Sequence, residues 1–189
     1  MYIHVDESCL GNQFRDRARP GGAGGLVEAW HDGEWKRRDL WISEPDTTNN
    51  RMALRSAIET LGPLRGSRPA LLITDSVYLA KGVKDWLPGW KRRGWRRKKG
   101  PIENLDLWRE LDSILTLRRV GVQWVRGHDG HPENTYADLI ATRAAAEQSS
   151  SGGLCESGFP EWLDGEREKG NFLDYREFLP PERRFSYDR

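Results

Sequence analysis

The sequence is poor in cysteine and has no long hydrophobic run. Only two cysteines occur among 189 residues, Cys9 and Cys155, and their separation fits neither a metal-binding nor a redox motif. This cysteine usage favours a reducing compartment. No apolar run approaches the length of a membrane span, and the first residues are strand-like rather than typical of a signal peptide. We therefore expect a cytoplasmic protein with no membrane partner, and a monomer is the default.

The net charge is only +1, but the charged residues are unevenly distributed along the chain. Residues 147–189 hold ten acids and six Lys or Arg, whereas residues 81–99 hold nine Lys or Arg and one acid. Trp86, Trp90 and Trp95 are interleaved with these cations. Cations that neutralise phosphates beside aromatic surfaces are typical of nucleic-acid binding. The alternatives are a solvated charged face and, for the tryptophans, ordinary core packing, which is partly expected for Trp86.

Hydrophobic periodicity predicts an α/β protein with a mixed sheet. A strand at 2–8 is followed by a hairpin around Asp32-Gly33 and by a helix within 47–61. Two further strands, near 70–75 and 120–128, alternate with helices and should therefore lie parallel. The remaining predicted helices cover about 76–87, 104–115 and 132–147.

Chemistry-bearing residues occur where the predicted parallel strands end. Asp6, Asp75 and His128 follow three strands, and Asp138 lies in an otherwise apolar helix. Singly, such an Asp is more often a turn former, and Asp138 could be a helix-surface acid. Together, three carboxylates repel one another and call for a divalent cation, of which Mg²⁺ or Mn²⁺ suits oxygen ligands best. Carboxylates that hold two such ions are typical of phosphodiester cleavage.

The histidines of "GHDGHPEN" are better explained without zinc, because no further nitrogen or sulfur ligands lie nearby in the sequence. We expect His128 to shuttle protons beside the metal site, with a purely structural role as the alternative. For His131 the structural role is favoured.

Seven segments in family order over about residues 2–146 resemble ribonuclease HI, which cuts the RNA strand of RNA–DNA hybrids. They are "DESCLGN", "PGGAGG", "TTNNRMAL", "TDSVYLAKGVKDWLPGWKRRGW", "NLDLWRELD", "WVRGHDGHPEN" and "YADLIA". The resemblance implies a ribonuclease H-like α/β fold, with a five-stranded mixed sheet, flanking helices and a basic tryptophan-containing protrusion. It implies a ribonuclease H domain over 1–146 and leaves 147–189 as an acidic extension, packed on the domain or partly disordered.

The resemblance also implies a role for each matching residue. Asp6 would bridge two Mg²⁺ ions, Asp75 would bind one and Asp138 the other, with Mn²⁺ as a substitute, and His128 would assist product release or proton transfer. Water would attack the scissile phosphate. The residues implied to contact the hybrid are Asn12, Thr48, Asn49, Asn50, Trp86, Trp90, Lys91, Arg92 and Arg93.

Several positions depart from the family pattern, and Ala53 matters most because the family has a glutamate ligand there. Glu7 stands in place of a glycine, Val77 in place of a glutamine, and the 13–19 loop is longer than usual. Because Glu7 follows Asp6 along a strand, we expect it to point to the opposite side and not to substitute. The chain should then be strongly impaired.

The loss of the glutamate has two explanations. A single Glu-to-Ala difference beside intact partners favours deliberate removal, and a natural non-catalytic hybrid-binding protein is the alternative. A transposase or resolvase of the same broad fold is a third possibility, against which the basic protrusion and "GHDGHPEN" argue.

Overall fold

The computed structural model describes residues 1–11, 19–66, 68–127 and 130–177. Six strands form one sheet: β1 (Tyr2–Cys9), β2 (Gly21–His31), β3 (Glu34–Glu44), β4 (Ala70–Thr74), β5 (Val120–Trp124) and β6 (Cys155–Glu156). The helices are α1 (Asn49–Leu61), α2 (Val77–Lys81), α3 (Leu87–Arg92), α4 (Leu105–Leu117), α5 (Pro132–Glu147) and α6 (Phe159–Glu168). A π-helical segment, Gly82–Trp86, joins α2 to α3. No helix within the described ranges is long and apolar enough to cross a membrane.

The sheet is mixed, with strand order β5-β4-β1-β2-β3-β6. β1 pairs in parallel with β4, which pairs in parallel with β5, while the β1-β2-β3 meander is antiparallel. The expected five-stranded sheet therefore gains a sixth strand, because Cys155 and Glu156 pair with Asp39 and Arg38 at the free edge of β3. A two-residue strand is too short to produce the alternation from which strands are predicted.

The two faces of the sheet are covered by different helices. On one face, Ile3 and Val5 of β1 belong to the main hydrophobic core, which they share with α1 and α4. On the other face, α5 lies directly on β2, where a Cβ at Gly22 would come within 2.0 Å of the Ala141 carbonyl oxygen. Two glycines of "GGAGG", Gly22 and Gly24, are thus required by the close approach of the α5 backbone.

The extension completes a second core on the α5 face. Phe159, fully buried, and Leu163 of α6 pack with Leu26 of β2 and with Tyr136 and Ile140 of α5. The buried carboxylate of Asp39 accepts hydrogen bonds from the Tyr136 hydroxyl, at 2.6 Å, and from the backbone N–H of Gly158, at 3.0 Å. The described part of the extension is therefore folded against the sheet.

Candidate active site

Asp6 lies near the carboxyl end of β1 and is held by hydrogen bonds on both oxygens. Its Oδ1 accepts from the backbone N–H of Glu7 at 2.7 Å, and its Oδ2 accepts from Nδ2 of Asn134 at 3.1 Å. Asn134 lies in the first turn of α5 and is itself buried. The start of α5 therefore fixes the orientation of the Asp6 carboxylate.

Asp75 follows β4, the strand parallel to β1, so its side chain lies at the same edge of the sheet. The indole N–H of Trp124, at the end of β5, donates to the Asp75 carbonyl oxygen at 2.9 Å. Gly127 lies against the carboxylate, and a Cβ at that position would come within 2.5 Å of Asp75 Oδ2. A side chain at position 127 would therefore displace the Asp75 carboxylate.

Asp138 lies on α5, one turn after Asn134, and its Oδ1 accepts a hydrogen bond from the Thr142 hydroxyl at 3.4 Å. Its charge is close enough to act on both Asp6 and Glu7. The structure thus brings the three predicted carboxylates to one edge of the sheet. His128 and Asn12 lie outside the described residues.

Glu7 follows Asp6 on β1 and contributes a further carboxylate close to the cluster. As expected from strand alternation, it follows Ile3 and Val5 on the sheet face opposite Asp6. That face packs on α1, so Glu7 lies on the side from which a glutamate at position 53 would enter. Its carboxylate hydrogen-bonds with the Ser76 side chain and interacts with the charges of Asp75 and Asp138. Glu7 therefore lies on the expected face, opposite Asp6, but near the end of the strand its carboxylate still interacts with the charges of the cluster.

Ala53 is fully buried and belongs to the main hydrophobic core. Its methyl group packs with apolar neighbours, and its carbonyl oxygen accepts a hydrogen bond from the Ser56 hydroxyl at 2.8 Å. Nothing at this position can bind a metal.

The electrostatics of the site fit a cation. Burial, followed by the charges of Asp75, Glu7 and Asp138, raises the pKa of Asp6 to about 9. Burial and the charges of Asp75 and Asp138 raise the pKa of Glu7 to about 8, against the hydrogen bond from Ser76. Glu7 Oε2 is buried and has no hydrogen-bond partner among the described residues. Clustered carboxylates with an unpartnered oxygen are a donor set that suits Mg²⁺ or Mn²⁺.

Comparison with known proteins agrees with this geometry. Residues 1–146 match the RNase H family model. The chain belongs to the ribonuclease H family. It is 44% identical to ribonuclease H of Stutzerimonas stutzeri strain A1501 over 146 residues, which are 77% of this chain and 91% of that protein. It is 47% identical to ribonuclease HI of Pseudomonas aeruginosa strain PAO1 over 148 residues, covering 78% of this chain and 94% of that one.

Among solved structures, LC9-RNase H1 matches with a TM-score of 0.85 at 43% identity, covering 96% of this chain and 88% of that one. LC9-RNase H1 is a type 1 RNase H with the type 2 active-site motif. Because the match covers 96% of this chain, it includes part of the extension, which the family model does not reach.

The predicted substrate residues occupy two exposed regions. Thr48, Asn49 and Asn50 are exposed at the start of α1, where the Thr48 hydroxyl also accepts from the Arg51 backbone N–H at 3.3 Å. In the protrusion, Lys91, Arg92 and Arg93 are exposed. Their contact with a hybrid stays a prediction.

The protrusion tryptophans differ in exposure. Trp86 and Trp90 both line a cavity of about 280 Å³. Trp86 is half-buried, whereas Trp90 is 8% exposed and packs edge-on against Trp108, with ring centroids 5.5 Å apart. Trp90 is therefore largely a core residue. The cations differ as well, because Lys91 Nζ lies 2.8 Å from Asp112 Oδ1, so its charge is partly neutralised.

Sequence reasoning missed two sets of residues at the site. Asn134 is an ordinary polar residue of a helix N-terminus, and only the fold shows that its amide faces Asp6. A buried cluster of His4, Glu28 and Glu133 lies nearby, with ligand-type atoms within 4.8 Å of one another. The only sequence signal for it is His4 and Glu28 at positions where their strands are otherwise apolar.

Proposed function

We propose that this chain hydrolyses the RNA strand of RNA–DNA hybrids and that Glu7 supplies the carboxylate absent at Ala53. The observation that carries this proposal is the place of Glu7, whose Oε2 is buried and has no partner among the described residues, and whose carboxylate interacts with the charges of Asp75 and Asp138. The sequence-based expectation of strong impairment assumed that a carboxylate on the face opposite Asp6 could not substitute for the missing glutamate. We now propose an active enzyme in which a ligand has moved from a helix to a strand, and this also accounts for Ala53 without deliberate removal.

Asp6, Glu7, Asp75 and Asp138 would hold two Mg²⁺ ions, with Mn²⁺ as a substitute, and the bound metal would activate water and stabilise charge on the scissile phosphate. The protein's own contribution is orientation. The Asn134 amide and the Glu7 backbone N–H fix both oxygens of Asp6, and Ser76 fixes Glu7. Preorganised ligands of this kind need no rearrangement as the reaction proceeds.

The solved relative supports a relocated ligand. LC9-RNase H1 combines a type 1 fold with the type 2 active-site motif, so a fold of this kind accommodates more than one set of active-site residues. We propose that the exchange of Glu for Ala at 53, together with the acid at Glu7, is such a variation in this chain.

The surface next to the site suits a nucleic acid. Val77 and Trp124, each about half exposed, line a groove of about 330 Å³ with two cations, Lys81 and Lys84, and one acid, Asp85. Apolar surface beside two cations can pack on sugars and neutralise phosphates. With the exposed start of α1 and the basic protrusion, this groove would hold the hybrid, and contacts to several consecutive 2′-hydroxyls would distinguish RNA from DNA. His128 would assist proton transfer or product release.

The direct test is cleavage of an end-labelled RNA–DNA hybrid, with duplex RNA and duplex DNA of the same sequence as controls. We expect the unmodified chain to cut only the RNA strand of the hybrid, in Mg²⁺ or Mn²⁺ but not in EDTA. Asp75→Asn is the matched inactive control. Tight hybrid binding without cleavage in either metal would instead support the non-catalytic alternative.

A further inference from the structure

The end of the described extension contacts α5, the helix whose Asn134 donates a hydrogen bond to Asp6. The Tyr175 hydroxyl donates a hydrogen bond to Glu133 Oε1 in the first turn of α5. Glu133 is 1% exposed, so it depends on protein donors. The next residue, Asn134, donates to Asp6 Oδ2 at 3.1 Å. Two consecutive residues thus connect the extension to a predicted metal ligand.

A second contact of the extension reaches the same buried cluster from the other side. Arg37 of β3 donates from Nε to Glu28 at 2.7 Å and from Nη2 to Glu177 at 2.9 Å. Glu28 Oε2 in turn lies 3.3 Å from His4 Nε2, two residues before Asp6 along β1. The extension therefore contributes to the network that lies beneath the site through both Tyr175 and Glu177.

The contacts within the His4, Glu28 and Glu133 cluster indicate that it positions neighbouring residues rather than binds a second metal. His4, Glu28 and Glu133 approach closely enough to share an ion, but Arg37 and Tyr175 already donate to the two carboxylates. Burial acts to raise the pKa of Glu28, but its contacts with His4 and Arg37 together outweigh burial and bring that pKa below its usual range. A buried charge that is paired and hydrogen-bonded in this way holds its neighbours in one arrangement.

We infer that Tyr175 is a positioning residue of the active site, which holds Glu133 so that Asn134 presents its amide to Asp6. Without the Tyr175 hydroxyl, the buried Oε1 of Glu133 would lose the donor it has in the structure, and the carboxylate would have to turn towards other donors or water. The first turn of α5 would then shift, and Asp6 would lose the partner that orients it. The inference rests on the proposed function only in taking Asp6 as a metal ligand.

The test compares Tyr175→Phe with Phe172→Leu in the full chain. Phe172 packs on Trp162 in the same extension, with ring centroids 5.8 Å apart, and controls for loosening of the extension. Loss of a residue that orients a metal ligand typically costs about 10- to 100-fold in affinity or activity. For Tyr175→Phe we expect a kcat lowered by about 10-fold or more, a higher Mg²⁺ requirement and an unchanged KM for the hybrid. Phe172→Leu should keep all three values.

Asn134→Ala should reproduce the loss, and adding Tyr175→Phe to it should have little further effect, because both act on Asp6. Unchanged kcat and Mg²⁺ requirement in Tyr175→Phe, or an equal loss in Phe172→Leu, would overturn the inference. Calorimetry measures the Mg²⁺ affinities of the unmodified chain and of Tyr175→Phe without any cleavage. This measurement separates failure of the inference from failure of the proposed function. If the unmodified chain binds Mg²⁺ without cutting hybrids, the proposed function fails, and the ratio of the two Mg²⁺ affinities still decides the role of Tyr175. Equal affinities would overturn it.

Discussion

The acidic side chains of the site make the metal-free protein less stable than it would be without them. Asp6, Glu7, Asp75 and Asp138 repel one another, and burial has raised the pKa values of Asp6 and Glu7 because their ionised forms are disfavoured. Such a cluster is retained when function requires it. A cation that binds only the folded state offsets the cost.

At this residue scale we expect Glu7→Gln to stabilise the metal-free protein. The amide keeps the shape of the side chain and removes one of the like charges. If the repulsion costs about 1 kcal/mol, Tm in EDTA should rise by about 2–4 °C, and the further rise caused by Mg²⁺ should shrink. Thermal unfolding with and without Mg²⁺ measures both, and Glu59→Gln on the outer part of α1 is a control. A lower Tm in EDTA would show that Glu7 is a structural hydrogen-bond acceptor instead.

Asp6 and Asp75 could be predicted from the sequence because acids at the ends of parallel strands meet at one edge of the sheet, and Asp138 because a charge is unexpected in an otherwise apolar helix. For Glu7, strand alternation predicts the face correctly but not the neighbours of the carboxylate. Alternation places Asp6 and Glu7 on opposite faces, but at the last residues of β1 the two faces border the same edge. Which groups surround that edge depends on α1, α5 and β4, which alternation does not describe.

At the scale of elements, the basic protrusion combines exposed cations with tryptophans that are partly core. Arg92 is exposed, whereas Lys91 pairs with Asp112 at 2.8 Å. Arg92→Ala should therefore reduce the salt dependence of hybrid binding by about one released counterion for each phosphate that the arginine neutralises. Lys91→Ala should reduce it less, because its charge is already shared.

Hybrid affinity measured over a series of salt concentrations gives both slopes. Identical slopes for Arg92→Ala and the unmodified chain would mean that the protrusion is a solvated face that binds no phosphate.

The elements themselves were largely predictable, since β1 to β5 and the longer helices carry clear periodicity. The sixth strand was not, because Cys155–Glu156 is short and is ordered by the open edge of β3. The role of α6 depends on the contact of Phe159 and Leu163 with α5. The sequence pattern of neither helix predicts that contact.

At the scale of the whole molecule, the extension is part of the folded protein. Phe159 and Leu163 are buried against Leu26 and Ile140, and burying such side chains stabilises a protein by about 1.5–3 kcal/mol each. Ending the chain at Glu147 should therefore lower the free energy of unfolding by about 3 kcal/mol or more.

Urea unfolding of chains ending at Glu147 and at Glu177 tests this, because the longer chain keeps every described contact. Equal midpoints for the two chains would show that the extension adds no stability.

If Glu7 replaces the glutamate missing at Ala53, the rate of hybrid cleavage must depend on it. Single-turnover cleavage of an RNA–DNA hybrid in Mg²⁺ measures this dependence. The set comprises the unmodified chain, Glu7→Gly, Ala53→Glu and the double variant. We expect Glu7→Gly to lose about 100-fold or more in rate, in the range seen when a group that acts on transition-state charge is removed. Ala53→Glu in that background should recover a large part of the loss. A Glu7→Gly chain that cuts at the unmodified rate would contradict the claim, as would an inactive unmodified chain that Ala53→Glu alone activates.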